Sequence, residues 1–174
     1  MLRTAPRLIA AVALASFATL GVAATKTTTF NVTATVAANC FIDSAGNVAF
    51  GAYTPGTGDV DQQADIAVRC TNGTPYGLGL SVGTGGGSMA MREMGSATVA
   101  SKLQYNLYTT TGRTQAWENP ANAATVTNNQ GGTGAGLATT NTHTVYGRLL
   151  DNAANQAALP AGDYTSTITV TINY

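Results

Sequence analysis

Residues 164–174 read YTSTITVTINY. Tyr164, Ser166, Ile168, Val170, Ile172 and Tyr174 fall on one face of an extended chain, and Thr165, Thr167, Thr169, Thr171 and Asn173 fall on the other. Alternation of this kind sends successive side chains to opposite faces, and β-branched residues on both faces suit a strand. Gly162-Asp163 punctuates its start. The strand runs to the last residue with no polar tail. Chain ends fray unless tied down, so pairing or burial is expected at Tyr174.

The same period recurs upstream, and the helical period is almost absent. Phe30, Val32, Ala34 and Val36 alternate with Asn31, Thr33 and Thr35. Val48, Phe50 and Ala52 form a short run closed by Thr54-Pro55-Gly56. Ile66, Val68 and Cys70 follow, then a turn from Thr71 to Pro75. Leu78, Leu80 and Val82 end at the glycine cluster Gly83 to Gly87. Leu103, Tyr105 and Leu107 make another run, and Val145 to Leu149 one more beyond a long polar stretch, 119–141. Seven or so short strands separated by turn signals predict an all-β sandwich.

Composition narrows the function. The chain has 174 residues, enough for one domain plus a removable segment. Eight Lys+Arg balance eight Asp+Glu, and charged residues make up 9%, against about 25% in an ordinary domain. That leaves no basic footprint for nucleic acid. With 44% hydrophobic residues the chain is not a disordered tail. One His and two Cys are too few for a typical zinc site. Gly83 to Gly87 lacks the Lys-Ser/Thr ending of a phosphate loop, and no nucleophile elbow marks a serine. His143 reads as a partly exposed strand or loop residue. Asp59, Asp61 and Asp65 lie in a turn-rich stretch without the twelve-residue calcium pattern and read as a solvated loop. No metal, cofactor or catalytic residue is expected, and the chain is not read as an enzyme.

Met1 to Ala24 reads as a secretory signal. Arg3 and Arg7 form the positive end, and Leu8 to Leu20 is an apolar run too short for the roughly 20 residues of a membrane span. Val22-Ala23-Ala24 fits the small-x-small cleavage rule, with cutting after Ala23 or Ala24. Removing the segment takes two Arg and no acid, which leaves a net charge of −2. Export gives Cys40 and Cys70 their meaning. A lone pair in an oxidising compartment is most simply a disulfide, and no C-x-x-C marks a redox site. It would close a loop worth roughly 3.6 kcal/mol in the chain-entropy view.

These pieces, in this order, resemble the spore coat protein U domain family, the pilin subunits of archaic (Csu-type) chaperone–usher pili. Cys40 follows an alternating N-terminal segment. Val48-Ala49-Phe50-Gly51-Ala52-Tyr53-Thr54-Pro55 is similar to the family's phenylalanine-glycine strand, and Ile66 to Cys70 to the strand with the second Cys. Leu103 to Tyr108, then Trp117, resembles its most recognisable block. Val145 to Arg148 and Gly162 to Tyr174 resemble its closing strands. Glu118 departs from the pattern, where the family usually has Gly after the Trp.

The resemblance implies an incomplete immunoglobulin-like sandwich completed by a donated strand, its edges unsafe until covered. It implies three partners: a periplasmic pilus chaperone, an outer-membrane usher and neighbouring pilin subunits. It also implies secretion through the periplasm to a cell-surface pilus that supports adhesion and biofilm formation. The expected organisation is a signal at 1–24, a donor segment at 25–36 and the pilin domain at 37–174, with Ala34 to Ala38 fitting either donor or first strand. The donor face is Phe30, Val32, Ala34 and Val36. The chaperone-facing C-terminal strand carries Ile168, Val170, Ile172 and Tyr174. The alternative is a secreted surface or tip module that binds carbohydrate, with Tyr105, Tyr108 and Trp117 as a stacking platform; aromatic core packing is the plainer account of those three.

Overall fold

The computed structural model describes residues 21, 23–119 and 130–174. The chain divides into two units, Met1–Thr35 and Val36–Tyr174. The described part of the first has no helix or strand and is exposed throughout. Most of the signal segment lies outside the described residues.

The described residues of the second unit hold eight strands: β1 (Cys40–Ala45), β2 (Val60–Cys70), β3 (Pro75–Leu80), β4 (Arg92–Gly95), β5 (Lys102–Tyr108), β6 (Gly131–Thr133), β7 (Asn141–Leu149) and β8 (Val170–Asn173). One helical turn, α1 (Ala153–Gln156), precedes β8. The pairing is antiparallel, in a five-stranded sheet ordered β1-β2-β7-β5-β4 and a three-stranded sheet ordered β6-β3-β8.

Alternation decides what each strand buries. Ile66, Val68 and Cys70 of β2, Val145 and Leu149 of β7, and Leu103, Tyr105 and Leu107 of β5 face the core from one sheet. Tyr76, Leu78 and Leu80 of β3 meet them from the other. Trp117 is fully buried, and its indole N–H donates to Leu78 O at 3.0 Å. Asn141 Nδ2 reaches Tyr76 Oη at 2.9 Å, and Tyr76 Oη lies 2.8 Å from His143 Nε2. Tyr76 and His143 also meet edge-on, with ring centroids 5.7 Å apart. Cys40 and Cys70 stand opposite each other in the β1–β2 ladder and are joined as a disulfide.

The structure corrects several expectations. Val48, Phe50 and Ala52 do not form a strand. Val48 and Phe50 point inward, but Gly51 takes φ +72°, which breaks the period, so Tyr53 replaces Ala52 on the inner side. Pairing at the C-terminus reaches Asn173, while the Tyr174 side chain is 56% exposed. His143 is buried on β7, not partly exposed. Asp61 and Asp65 sit on the outer face of β2, not in a loop, where Asp61 takes Arg148 in a two-pronged pair and Asp65 takes the Thr144 hydroxyl. β1 and β4 carry no apolar alternation that would have announced them.

Candidate strand-accepting groove

The C-terminal segment forms one wall of a long cleft. Thr165 exchanges backbone bonds with Gly95, at 3.0 and 2.8 Å. Thr167 O accepts from Thr84 N and Thr169 O from Ser81 N. Val170 to Asn173 then pair with Leu80 to Gly77. Odd-numbered residues thus send their backbone groups to one side while their side chains face solvent. By the same period, Ser166, Ile168, Val170 and Ile172 turn side chains inward and backbone groups to the opposite edge. Among the described residues β8 has no partner strand on that edge, and in its sheet β3 alone adjoins it.

The opposite wall is the extended segment Asn47 to Tyr53. Gly46 N donates to Asp65 O, after which no backbone ladder forms before Tyr53 among the described residues. Its inward side chains settle over Gly147 of β7. A Cβ there would lie 2.5 Å from Val48 Cγ1 and 3.1 Å from Phe50 Cζ, so only glycine allows this approach. Beyond the wall, Asp151 gathers the rim. It accepts from Tyr53 Oη at 2.7 Å, from Gly56 N at 3.0 Å and from Gly58 N at 2.7 Å. The Tyr53 hydroxyl first, then the two amides, hold the Asp151 carboxyl well below the usual carboxylate range. Burial, with the Asp151 carboxylate next, pushes the Tyr53 phenol up to about 12.

Between the walls lies a cleft of about 1360 Å³ floored by Ile66, Leu80, Leu103, Tyr105, Val145 and Leu149, the core itself. A sandwich with such a floor lacks a strand's worth of cover. Tyr105 is 4% exposed and meets Phe50 edge-on at 6.0 Å between ring centroids. Its hydroxyl has no hydrogen-bond partner among the described residues. Burial pushes this phenol's pKa up, while the neighbouring Ser166 hydroxyl and the Arg92 charge pull it down. Ser166 Oγ lies beside this phenol and accepts from Gly85 N at 3.2 Å.

Arg92, which sequence reading passed over, is fully buried behind this floor. Its guanidinium donates to Trp117 O at 2.7 Å, Asn106 Oδ1 at 2.7 Å and Ser81 O at 3.0 Å. Carbonyl and amide oxygens, not a carboxylate, take up its donors, and burial lowers its pKa. It fastens β4 to the end of β3 and to the Trp117 turn. A lone Arg in a glycine-rich, Met-containing stretch gives no hint of this in sequence.

The remaining expected site residues divide cleanly. Ile168, Val170 and Ile172 share the inner face and pack against the core, while Tyr174 points out with Oη 3.5 Å from Asn39 Oδ1. Phe30, Val32 and Val36 are exposed, at 85%, 86% and 87%, and Ala34 is exposed beside them. Tyr105 and Trp117 are buried, so with Tyr108 they make no sugar-stacking platform. Among the described residues, no three His, Cys, Asp or Glu side chains group as metal ligands.

A two-sheet sandwich with one unpaired inner edge and a groove opening onto its core is an incomplete immunoglobulin-like fold. The chain belongs to the Spore Coat Protein U domain family, whose profile matches residues 26–171. Among solved structures it is similar to a chain of the CsuC–CsuE chaperone–tip adhesion subunit pre-assembly complex from the archaic chaperone–usher Csu pili of Acinetobacter baumannii. The TM-score is 0.51 at 23% identity, over 80% of this chain and 40% of that one, a likeness of fold. The match therefore spans about two-fifths of the length of that structural relative. The comparison with curated proteins found no match.

Proposed function

We propose that this protein is a structural pilin subunit of a surface pilus assembled by a chaperone–usher donor-strand mechanism. The observation that carries the reading is the groove: two extended walls whose facing edges are unpaired among the described residues, with core side chains as the floor between them. Such a gap accepts a strand, with ladder bonds on its edges and alternate side chains in its floor. The chain also carries a strand to give. Residues 25–36 stand exposed, with Phe30, Val32, Ala34 and Val36 on one face and polar residues on the other. Each large residue of that face would contribute roughly 1.5–3 kcal/mol once buried.

In this reading a periplasmic chaperone first fills the groove. At an outer-membrane usher, residues 25–36 of the next subunit then replace it, and the polymer reaches the cell surface to serve adhesion and biofilm formation. The family match and the fold shared with a chaperone–tip adhesion subunit complex support this sequence of partners. The disulfide suits passage through an oxidising periplasm.

Deleting residues 25–36 tests the reading. The truncated subunit should still copurify with chaperone, because the segment completes a neighbour rather than its own domain. It should form no polymer ladder on gels of unheated samples. Phe30→Asp and Val32→Asp should behave likewise, since each would drive a charge into an apolar floor. Asn31→Asp, on the polar face, should assemble. Full-length fibres from the truncated chain would overturn the donor role.

A further inference from the structure

Resting on the strand-accepting reading, we propose that Ala34 of a second copy seats at the Tyr105–Ser166 level of the groove. The donor then runs antiparallel to the C-terminal strand, with Val36 beside Tyr164, Val32 beside Ile168 and Phe30 beside Val170.

Three observations set this register. The first is space. At the Tyr105 level, Phe50 from one wall already meets the Tyr105 ring of the floor at 6.0 Å. Among the four inward donor residues, Phe30, Val32 and Val36 are large, and only Ala34 suits a level filled from two sides.

The second is polarity. Tyr105 Oη is buried and unpaired among the described residues, at a level where the wall residue is Ser166, the one polar residue among Ser166, Ile168, Val170 and Ile172. A large apolar side chain laid there would seal the hydroxyl against hydrocarbon, whereas a methyl group leaves room for a water to pair it. Phe30 falls instead beside Val170, whose ladder partner is Leu80 of the floor.

The third is direction. The chain enters its own β1 at Asn39, whose backbone bonds Thr71 and whose side chain meets Tyr174. The other end of the groove is bounded by Ala158 to Tyr164. Head-to-tail assembly needs the incoming domain at the end away from the acceptor's own entry. Residue 36 of the donor, nearest its own domain, therefore lies at Tyr164. The inward wall residues are those whose backbone groups open to the groove, so each inward donor residue sits in a hydrogen-bonded pair.

Paired cysteines in the full chain, assembled with its chaperone and usher, test the register. Val32→Cys with Ile168→Cys should give a disulfide-linked ladder on boiled, non-reducing gels, and reduction should collapse it. Val36→Cys with Ile168→Cys reports the parallel direction, and Val32→Cys with Ser166→Cys reports a slip by one pair; both should give none. A covalent ladder from either control, or none from any pair in subunits that polymerise, overturns the proposal while leaving strand exchange standing. Loss of the unheated ladder in the unaltered chain would instead overturn the pilin reading. As a second arm that leaves the acceptor untouched, Ala34→Leu should lose the ladder, while Ala34→Ser and Val32→Leu should keep it. Normal ladders from Ala34→Leu would also refute the assignment.

Discussion

Tyr53 and Asp151 are separated by 98 residues and joined by a 2.7 Å hydrogen bond. Through it the wall from Asn47 to Tyr53, which no backbone ladder holds among the described residues, is moored to the chain leaving β7. The same carboxylate takes the amides of Gly56 and Gly58, so one side chain shapes the whole rim.

This mooring has a definite pH response. The folded-state pKa of Asp151 is depressed, so its stabilisation is present above the unfolded value of about 3.9 and is lost as pH falls through the folded one. For Tyr53 the shift is upward, so its share is present below an unfolded value of about 10 and is lost as pH rises through about 12. The rim should hold through the ordinary carboxylate range. Amide exchange at Gly56 and Gly58, followed in the chaperone-bound subunit, is expected to quicken in Asp151→Asn and Tyr53→Phe. A protonation midpoint for Asp151 at the ordinary carboxylate value would count against the mooring.

The disulfide closes the entry to the domain. Cys40→Ser should lose roughly 3–4 kcal/mol, a large share of the stability of a domain this size, and should fail to accumulate. Mass spectrometry after alkylation of native periplasmic protein should find neither thiol modified. Two alkylated thiols would show that the bond is absent in the cell.

Arg92→Met removes the donors that Trp117 O, Ser81 O and Asn106 Oδ1 receive. Each orphaned acceptor costs about 1–3 kcal/mol, offset in part by no longer burying a charge. A marked fall in the urea midpoint of the chaperone complex is expected. Exposed Lys102→Met, which loses a surface ion pair to Glu93, should change the midpoint little; equal effects from the two would show that Arg92 is not a structural anchor.

Val170→Asp places a charge on the inner face of the groove wall, and Thr171→Asp places one on the solvent face of the same strand. The first is expected to abolish the soluble complex with chaperone, and the second to leave its yield near normal. If Val170→Asp copurifies at the unaltered yield, the C-terminal strand is not the chaperone-facing edge.

Much of this was legible locally. The alternation at 164–174 announces a strand with Ile168, Val170 and Ile172 on one face, because a period of two is a property of the extended chain and needs no neighbour. The face of Phe30, Val32, Ala34 and Val36, and the pairing of Cys40 with Cys70, follow from residue type, spacing and compartment. What the alternation does not contain is which edge of a strand stays unpaired, since backbone direction toward a neighbour leaves no mark on side-chain pattern. Only the tertiary structure shows β8 joined to β3 on one side and, among the described residues, open on the other. Only there does Val48-Ala49-Phe50 become a wall instead of a strand, because its place is decided by the missing Cβ of Gly147 far along the chain. The burial of His143, Arg92 and Tyr105 is of the same kind: each polar group is tolerated or left wanting by partners that sequence keeps distant and packing brings together.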